Sequence, residues 1–301
     1  KNIDLGFNKE NLLVIDNLYR EAARDKIELL LNEYRRIPNV TMATSSNDAP
    51  GVATENNTGL RTPDMPETET LLIGNRVVNY EYFETYQIPL LAGRTYDRNM
   101  NDERAKTEDV RAGNGFPSSL IINETAMRKF GFSSPDEAIE KTIYRGIGDD
   151  GESLYLEYRI IGIVPDVHLD TLKKEIRPEM FELIPENPQF ITVRFTGSAL
   201  EIAEQARTIW EREIPSIPFK YDHAVEQLAE QYEKEKGEMT MFATFSALAI
   251  MIACLGLYGL ASFTAERRTK EIGVRKVMGA TVFDIVKLLV WQFSKPVVIA
   301  N

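Results

Sequence analysis

An α+β outer domain followed by a membrane-spanning helix is the fold class this sequence predicts, and three observations predict it. Met239 to Ala265 is a run of twenty-seven residues without a charge, near the end of an otherwise acidic chain. The stretch Glu266 to Lys276, with five Lys/Arg against two Glu, follows it directly. Before the run, short strand-like segments are interspersed with amphipathic helical ones, the pattern of a mixed α+β domain. At about 1.5 Å per residue the uncharged run makes a helix of roughly 40 Å, enough to cross about 30 Å of hydrocarbon with some tilt. The positive-inside rule then assigns the basic end to the cytoplasm and everything before Glu238 to the outside.

Charge and cysteine content narrow the function classes. The net charge is −11. It is split unevenly: the first 238 residues carry 28 Lys/Arg and 43 Asp/Glu, the remainder 7 and 3. An acidic outer segment lacks the basic footprint that nucleic acid requires, so DNA and RNA are excluded as partners. The single cysteine, Cys254, lies inside the apolar run and reads as a packing residue, so no disulfide framework holds the outer domain. A domain of that size buries an adequate core without one. The chain begins with Lys, shows no signal peptide, and ends at Pro296–Asn301 as a second apolar stretch begins, which reads as a piece of a longer polytopic protein.

Along the outer segment, Leu12–Ile15 reads as a strand. Arg20–Arg36 reads as a helix with Ala23, Ile27, Leu30, Leu31 and Tyr34 on one face, ended by Pro38, and Val40–Thr44 as a second strand. Ser45–Glu67, rich in Asn, Thr, Pro, Gly and acid, reads as a mobile loop, with contact to a substrate as the competing reading. Thr70–Asn79 is strand-like, Tyr80–Tyr86 a short helix, Leu91–Arg94 a turn, and Tyr96–Phe116 a charged loop. Ser119–Ile122 is a strand whose successor Asn123 caps a helix to Phe130, stopped by Gly131; Ser134–Ala138 starts another. Lys141–Arg145 and Leu154–Val164 form a hairpin across Gly146–Gly151. This strand-rich middle reads as a subdomain inserted into the opening fold. Phe190–Phe195, Ala199–Arg212 and Ile217–Tyr221 give strand, helix and strand; from Ala224 the pattern turns helical and runs through Gly237 into the apolar span.

Catalytic constellations are sparse. His168 and His223 are the only histidines, and Asp166, His168 and Asp170 make a metal set only if strand-end residues converge; an ordinary polar loop is the competing reading. Asp149-Asp150 in Gly-Ile-Gly-Asp-Asp-Gly lacks the alternating acids and terminal Glu of a calcium loop and reads as a turn. There is no Gly-x-Ser-x-Gly elbow and no Gly-Lys-Ser/Thr phosphate loop, so no cofactor, metal or catalytic residue is assigned, and any ATP hydrolysis falls to another polypeptide or domain. Within the span, Ala249, Ala253 and Gly256 fall near one helical face with Gly259 close by, a packing face for a second helix, unless they reflect only the ordinary frequency of small residues there.

The series Glu266-Arg-Arg-Thr-Lys-Glu-Ile-Gly-Val-Arg-Lys-Val-Met-Gly-Ala-Thr281 resembles the FtsX-like permease family of ABC transporters, in which a helix leaving the membrane is followed by a short cytoplasmic helix with this ordered pattern. Headgroup anchoring explains the charges but neither Gly273, Gly279 nor the two glutamates. Asp4–Leu13, Asn75–Arg94 and Ile160–His168 are similar to the periplasmic core domain of macrolide-exporter (MacB-type) permeases. The resemblance implies residues 1–223 as that core domain, with about 92–190 inserted, 224–238 as a stalk helix, 239–265 as the span, 266–281 as a coupling helix and 282–301 as the start of a further membrane segment.

It also implies an ATPase partner engaging Glu266, Arg267, Arg268, Lys270, Glu271, Gly273, Arg275, Lys276 and Gly279. A periplasmic adaptor or substrate protein, contact with membrane lipid and a dimer of permease halves are implied too. The location implied is a bacterial inner membrane, multi-pass. The function expected is a non-enzymatic permease subunit that passes an ATPase's conformational change to the outer domain, in efflux or mechanotransmission. A membrane-anchored scaffold that binds a periplasmic partner without transport is the competing reading; dependence on an ATPase discriminates the two.

Overall fold

A computed structural model describes residues 6–18, 20–52, 56–100, 103–104, 106–147, 154–169, 176–186, 188–287 and 291, with the side chains of residues 21 and 223–236 outside the description. The Asp149-Asp150 turn, Asp170, the side chain of His223 and the apolar stretch from Pro296 lie outside the described residues. The chain divides into two compact units, residues 1–231 and 232–301.

In the first unit, β1 (Leu12–Ile15), α1 (Glu21–Arg24), α2 (Ile27–Arg35) and β2 (Val40–Ser46) open the fold. Then come β3 (Asn57–Leu60), β4 (Leu71–Val78), α3 (Tyr82–Tyr86), β5 (Ala92–Gly93), α4 (Thr107–Arg111), β6 (Ser118–Asn123), α5 (Glu124–Lys129), α6 (Pro135–Ala138), β7 (Thr142–Gly146), β8 (Tyr155–Val164) and β9 (Glu179–Leu183). β10 (Phe190–Phe195), α7 (Ala199–Glu213) and β11 (Tyr221–His223) return to the start. The class is α+β, as expected.

The strands at the two ends of this unit interleave. β10 lies between β1 and β2 and is antiparallel to both, and β1 lies between β10 and β11 in the same way, giving the order β11-β1-β10-β2. Each helical connection, β1 to β2 and β10 to β11, therefore joins parallel strands that have a third strand between them. Two such split β-α-β units make a ferredoxin-like βαββαβ arrangement, with everything from β3 to β9 inserted between its second and third strands. The helices α2 and α7 cover one face. Leu13, Ile15, Ala43, Ile191 and Val193 of the strands pack there against Leu30, Leu31 and Tyr34 of α2 and Ile202, Ala206 and Trp210 of α7. The Trp210 indole donates to the Ile217 carbonyl at 2.8 Å, so its one polar atom is satisfied inside that core. On the opposite face, Leu12, Val14 and Val78 meet Tyr82, Phe83 and Tyr86 of α3.

The inserted strands pair in a closed circuit. β4 pairs β9, β9 pairs β6, β6 pairs β8, β8 pairs β7, and β3 pairs β4; a single bridge, Arg61 to Tyr144, joins the β3 end to β7. Leu60, Ile73, Leu120, Ile143, Leu156, Ile160 and Met180 share one apolar cluster, with Met127 of α5 and Phe130 just past its end packed into it. The Asn123 side chain accepts from Ala126 N at 2.9 Å, the cap expected there, and from Glu179 N at 2.9 Å, which ties β6 to β9.

Several local readings differ from the sequence expectation, among them the Arg20–Arg36 helix, which divides into α1 and α2, and the last strand, read at Ile217–Tyr221 and formed at Tyr221–His223. Leu91–Arg94 is not only a turn: Ala92 and Gly93 form β5 against Ile163 and Gly162 of β8, an approach so close that a Cβ on Gly93 would overlap the Ile161 carbonyl oxygen. The Ser45–Glu67 loop contains β3, the Tyr96–Phe116 loop contains α4, and β9 had no counterpart in the sequence reading because its Glu-Met-Phe-Glu-Leu mixes buried charge with apolar residues.

Across the seam between the end strands and the insert, β2 and β4 share one ladder pair, Ser46 with Val78. Charged groups reinforce it. Arg76 is buried; its Nε and Nη2 donate to both oxygens of Glu179, at 2.6 and 2.8 Å, and its Nη1 to Asp48. Arg177 Nε donates to Glu179 at 2.9 Å, so two arginines face two carboxylates.

Candidate functional site

The long helix α8 (Ala224–Arg267), most of it in the second unit, contains a stretch, Gly237–Arg267, that is long and apolar enough to cross a membrane; its most apolar 18 residues have a mean hydropathy of 2.0, and none of them is buried against protein. It is the single such stretch among the described residues. Ala249, Ala253, Gly256 and Gly259 lie on it, and neither glycine has any non-neighbouring atom within 4 Å of where a Cβ would stand, so the small-residue face is open. The Thr244 and Thr264 hydroxyls donate to the Thr240 and Leu260 carbonyls one turn back, at 2.8 and 2.7 Å, so both are satisfied within the helix.

The helix ends in a short break and restarts. Arg268 has φ −106° and ψ 18°, outside the helical well, and α9 (Thr269–Val277) begins after it. Thr269 fills the gap: its hydroxyl donates to the Glu266 carbonyl at 2.6 Å. The Arg267 guanidinium lies 4.8 Å from the Phe263 ring centre, at the end of the apolar stretch. On α9, Arg275 donates to Glu271 at 2.7 Å, one turn apart in the order that stabilises a helix, and Glu271 also lies 4.0 Å from Arg268. Glu271 sits in the first turn, and Arg275 and Lys276 in the last, each sign matched to the helix dipole.

Gly279 stops α9. Its φ is +93°, its N–H donates to the Lys276 carbonyl at 3.2 Å, and Ala280 N–H donates to Arg275 at 3.0 Å, the paired bonds of a Schellman C-cap. A helix restarts at Val282, where Thr281 and Asp284 cap each other: Thr281 N donates to Asp284 at 3.1 Å and Asp284 N to the Thr281 hydroxyl at 3.3 Å. The ordered series thus has a mechanical reason at its C-terminal end, Gly to stop one helix and Thr to start the next. Gly273, in mid-helix with open space around it, leaves a bare strip of backbone.

The sequence reading missed two features here. Thr281 and Asp284 carried a legible signal, the three-residue spacing of a capping pair. Val274, Val277 and Met278 are spaced to share a face of α9, and all three are exposed, followed by exposed Val282 and Phe283. Lys270 and Lys276 have no ion-pair partner among the described residues. The short helix therefore presents an apolar stripe beside unpaired positive charge, the composition of a docking surface.

In the first unit, Asp166 is occupied by protein: it accepts from Thr125 N at 3.0 Å, the Thr125 hydroxyl at 2.8 Å and Arg128 at 2.9 Å. With His168, Asn8, Gln87, Pro89 and Pro165 it lines an open depression of about 650 Å³. Among the described residues no three His, Cys, Asp or Glu side chains gather as a metal-ligand group.

Residues 243–300 match the family model described as FtsX-like permease C-terminal, a span that contains the whole Glu266–Thr281 series on which the resemblance rests. No curated protein matches the chain. Solved structures similar to it include the periplasmic region of MacB from Actinobacillus actinomycetemcomitans, at 13% identity and TM-score 0.48, covering 76% of this chain and 94% of that one. The extracellular domain of the noncanonic ABC-type transporter YknZ from Gram-positive bacteria is similar at 15% identity and TM-score 0.43, over 70% and 98%. A domain of a putative permease protein from Porphyromonas gingivalis is similar at 14% and 0.45, over 71% and 90%.

Proposed function

With residues 243–300 matching an FtsX-like permease C-terminal segment, we propose that this chain is part of the membrane subunit of an ABC transporter and passes the motion of a cytoplasmic ATPase to its outer domain. The observation that carries the reading is that match, centred on an apolar helix followed at once by a capped, basic short helix. On this reading residues 1–223 are extracytoplasmic, 224–238 a stalk, 239–265 the span in a bacterial inner membrane, and 266–281 the coupling helix, with 282–301 entering the membrane again in a multi-pass protein.

The ATPase would meet Lys270, Arg275 and Lys276 electrostatically and Val274, Val277 and Met278 by apolar contact, around the strip that Gly273 leaves bare. Arg267 and Arg268 sit at the headgroup level, where they anchor the helix end to lipid, and Glu271 holds Arg275 in place. Ala249, Ala253, Gly256 and Gly259 would receive a neighbouring helix, from the same subunit or from the other half of a permease dimer. No hydrolytic role falls to this chain. Efflux and mechanotransmission to a periplasmic adaptor or substrate protein both use this layout.

The test is co-purification of the full-length protein from native membranes, wild type against Arg275→Glu/Lys276→Glu. Retention of an ATPase by wild type and its loss, at least about tenfold, in the double variant supports the reading. Glu271→Gln separates surface charge from helix integrity: it breaks the intrahelical pair while keeping both cations, and retention should persist. Equal retention by all three proteins removes the coupling role, and an ATPase absent from every sample favours the scaffold alternative.

A further inference from the structure

Three arginines of the outer unit are more than nine-tenths buried: Arg61, Arg76 and Arg194. Two have their charge answered. Arg76 meets Asp48 and Glu179, and Arg194 donates to the backbone carbonyls of Thr85, Glu10 and Asn8. Arg61, with 7% of its surface exposed, has one long side-chain hydrogen bond, Nη1 to the Met65 carbonyl at 3.5 Å, and no carboxylate partner among the described residues; its Nε is buried without an acceptor. Burying a cation without a counter-charge is unfavourable, and in a segment carrying 43 carboxylates a structural counter-ion would have been easy to supply.

The surroundings of Arg61 are built rather than incidental. Its guanidinium carbon stands 5.0 Å from the Tyr144 ring centre and 4.5 Å from that of Tyr155, and the two rings lie 6.0 Å apart at 50°, forming a notch with the cation against both faces. Both tyrosines keep partial exposure, so the notch opens to solvent. The backbones of Arg61 and Tyr144 exchange bonds at 3.0 and 2.9 Å, the single bridge that closes the strand circuit of the insert.

We propose that Arg61, with the rings of Tyr144 and Tyr155, is a receptor for a carboxylate carried by the ligand or partner of the outer domain. A carboxylate takes the guanidinium edge in a bidentate pair, supplies the missing counter-charge, and rests its adjoining carbons against the exposed parts of the two tyrosines. Because the bridge residue is also the anchor, occupancy tightens the weakest closure of the insert. The carboxylate comes from a small organic acid or from a peptide terminus or side chain. The inference does not depend on whether an ATPase engages Glu266–Thr281.

The experiment uses the full chain in lipid nanodiscs and follows the backbone amides of residues 61, 144 and 155 by 1H–15N spectroscopy. Three probes are titrated: sodium acetate, acetyl-Ala-Ala with a free carboxylate, and the same peptide amidated, with chloride matched throughout. Expected are saturable shifts with a carboxylate probe and none with the amide, slower hydrogen exchange at the Arg61 and Tyr144 amides when saturated, and binding at least about tenfold weaker in Arg61→Met. Action by both carboxylates identifies a small-acid site; action by the peptide alone identifies a polypeptide partner. Arg61→Lys, which keeps charge without the fork, stands in if the Met variant does not fold, and should weaken binding about tenfold. No saturable shift with either carboxylate overturns the proposal. So does equal movement with the amidated peptide, or binding unchanged in the substituted protein.

Discussion

At the scale of single residues, the first unit is held by charges that sequence inspection reads as surface. Arg76 lies on β4, Glu179 opens β9 and Asp48 follows β2, so three segments far apart in sequence meet at one guanidinium. Burial works against the Arg76 cation, yet the neighbouring Asp48 and Glu179 charges outweigh it and hold the group protonated well above its ordinary range. Arg76→Met should therefore cost about 3 to 5 kcal/mol, because it takes the shared guanidinium from two buried carboxylates and leaves Glu179 with Arg177 alone, while removing all three charges together should cost much less. Denaturant melts of the single and triple variants measure the difference. Glu81 makes the complementary case at the edge of α3. Burial raises its pKa, but hydrogen bonds from Arg98 at 2.6 and 3.0 Å, with the charges of Arg35 and Arg98, more than offset that and hold it below the usual value. A depressed carboxylate contributes stability that is fully present above its unfolded pKa, about 4.3, and is lost as pH falls through its folded value. Partial exposure limits the contribution to about 1 kcal/mol. Glu81→Gln should thus destabilise near neutrality and match wild type toward pH 3, followed by urea melts across that range; a pH-independent difference would contradict the assignment.

Individual elements show what was legible in the sequence and what was not. β1, β10 and α8 sit where periodicity put them, because each is read from one continuous apolar pattern. The cap Asn123 was equally local and is where expected, and Ser134, read only as the start of a helix, caps α6; each accepts from the backbone three residues on. What failed was non-local. β9 is central and fully buried, yet its two glutamates look like surface until Arg76, Arg145 and Arg177 are brought beside them. β5 is two residues long and exists only because glycines at 93 and 162 let strands approach. The candidate site divides along the same line. Its charges and glycines were readable, whereas the apolar stripe Val274, Val277 and Met278 gains meaning only once shown to be uncovered. Gly279 gives the element-scale prediction. Nothing lies within 4 Å of a Cβ there, so Gly279→Ala meets only the backbone cost of φ +93°, about 1 to 2 kcal/mol in local helix stability. Faster hydrogen exchange at the Gly279 and Ala280 amide positions, with the outer unit unchanged, is the expected result.

For the whole molecule, the distribution of apolar surface decides what each unit requires of its surroundings. Among the described residues of the first unit, five large apolar side chains are exposed, Leu29, Leu72, Leu91, Met100 and Leu200, spread over different segments. Scattered single residues of that kind are ordinary on a soluble surface. Among the described residues from Met239 onward twenty are exposed, thirteen of them between Met239 and Phe263 on one helix, which makes a continuous apolar surface that no described residue covers. The first unit also owns all three apolar clusters and its excess of acidic charge, both of which favour a soluble, monomeric body. Residues 1–231 expressed alone should remain monomeric without detergent and unfold in one cooperative transition, whereas the full chain should be monodisperse only in detergent or lipid. Sedimentation velocity with and without detergent reads both outcomes. Aggregation of the 1–231 fragment would mean that its surface needs the membrane too, and the membrane boundary would then have to move from residue 239 toward the outer domain.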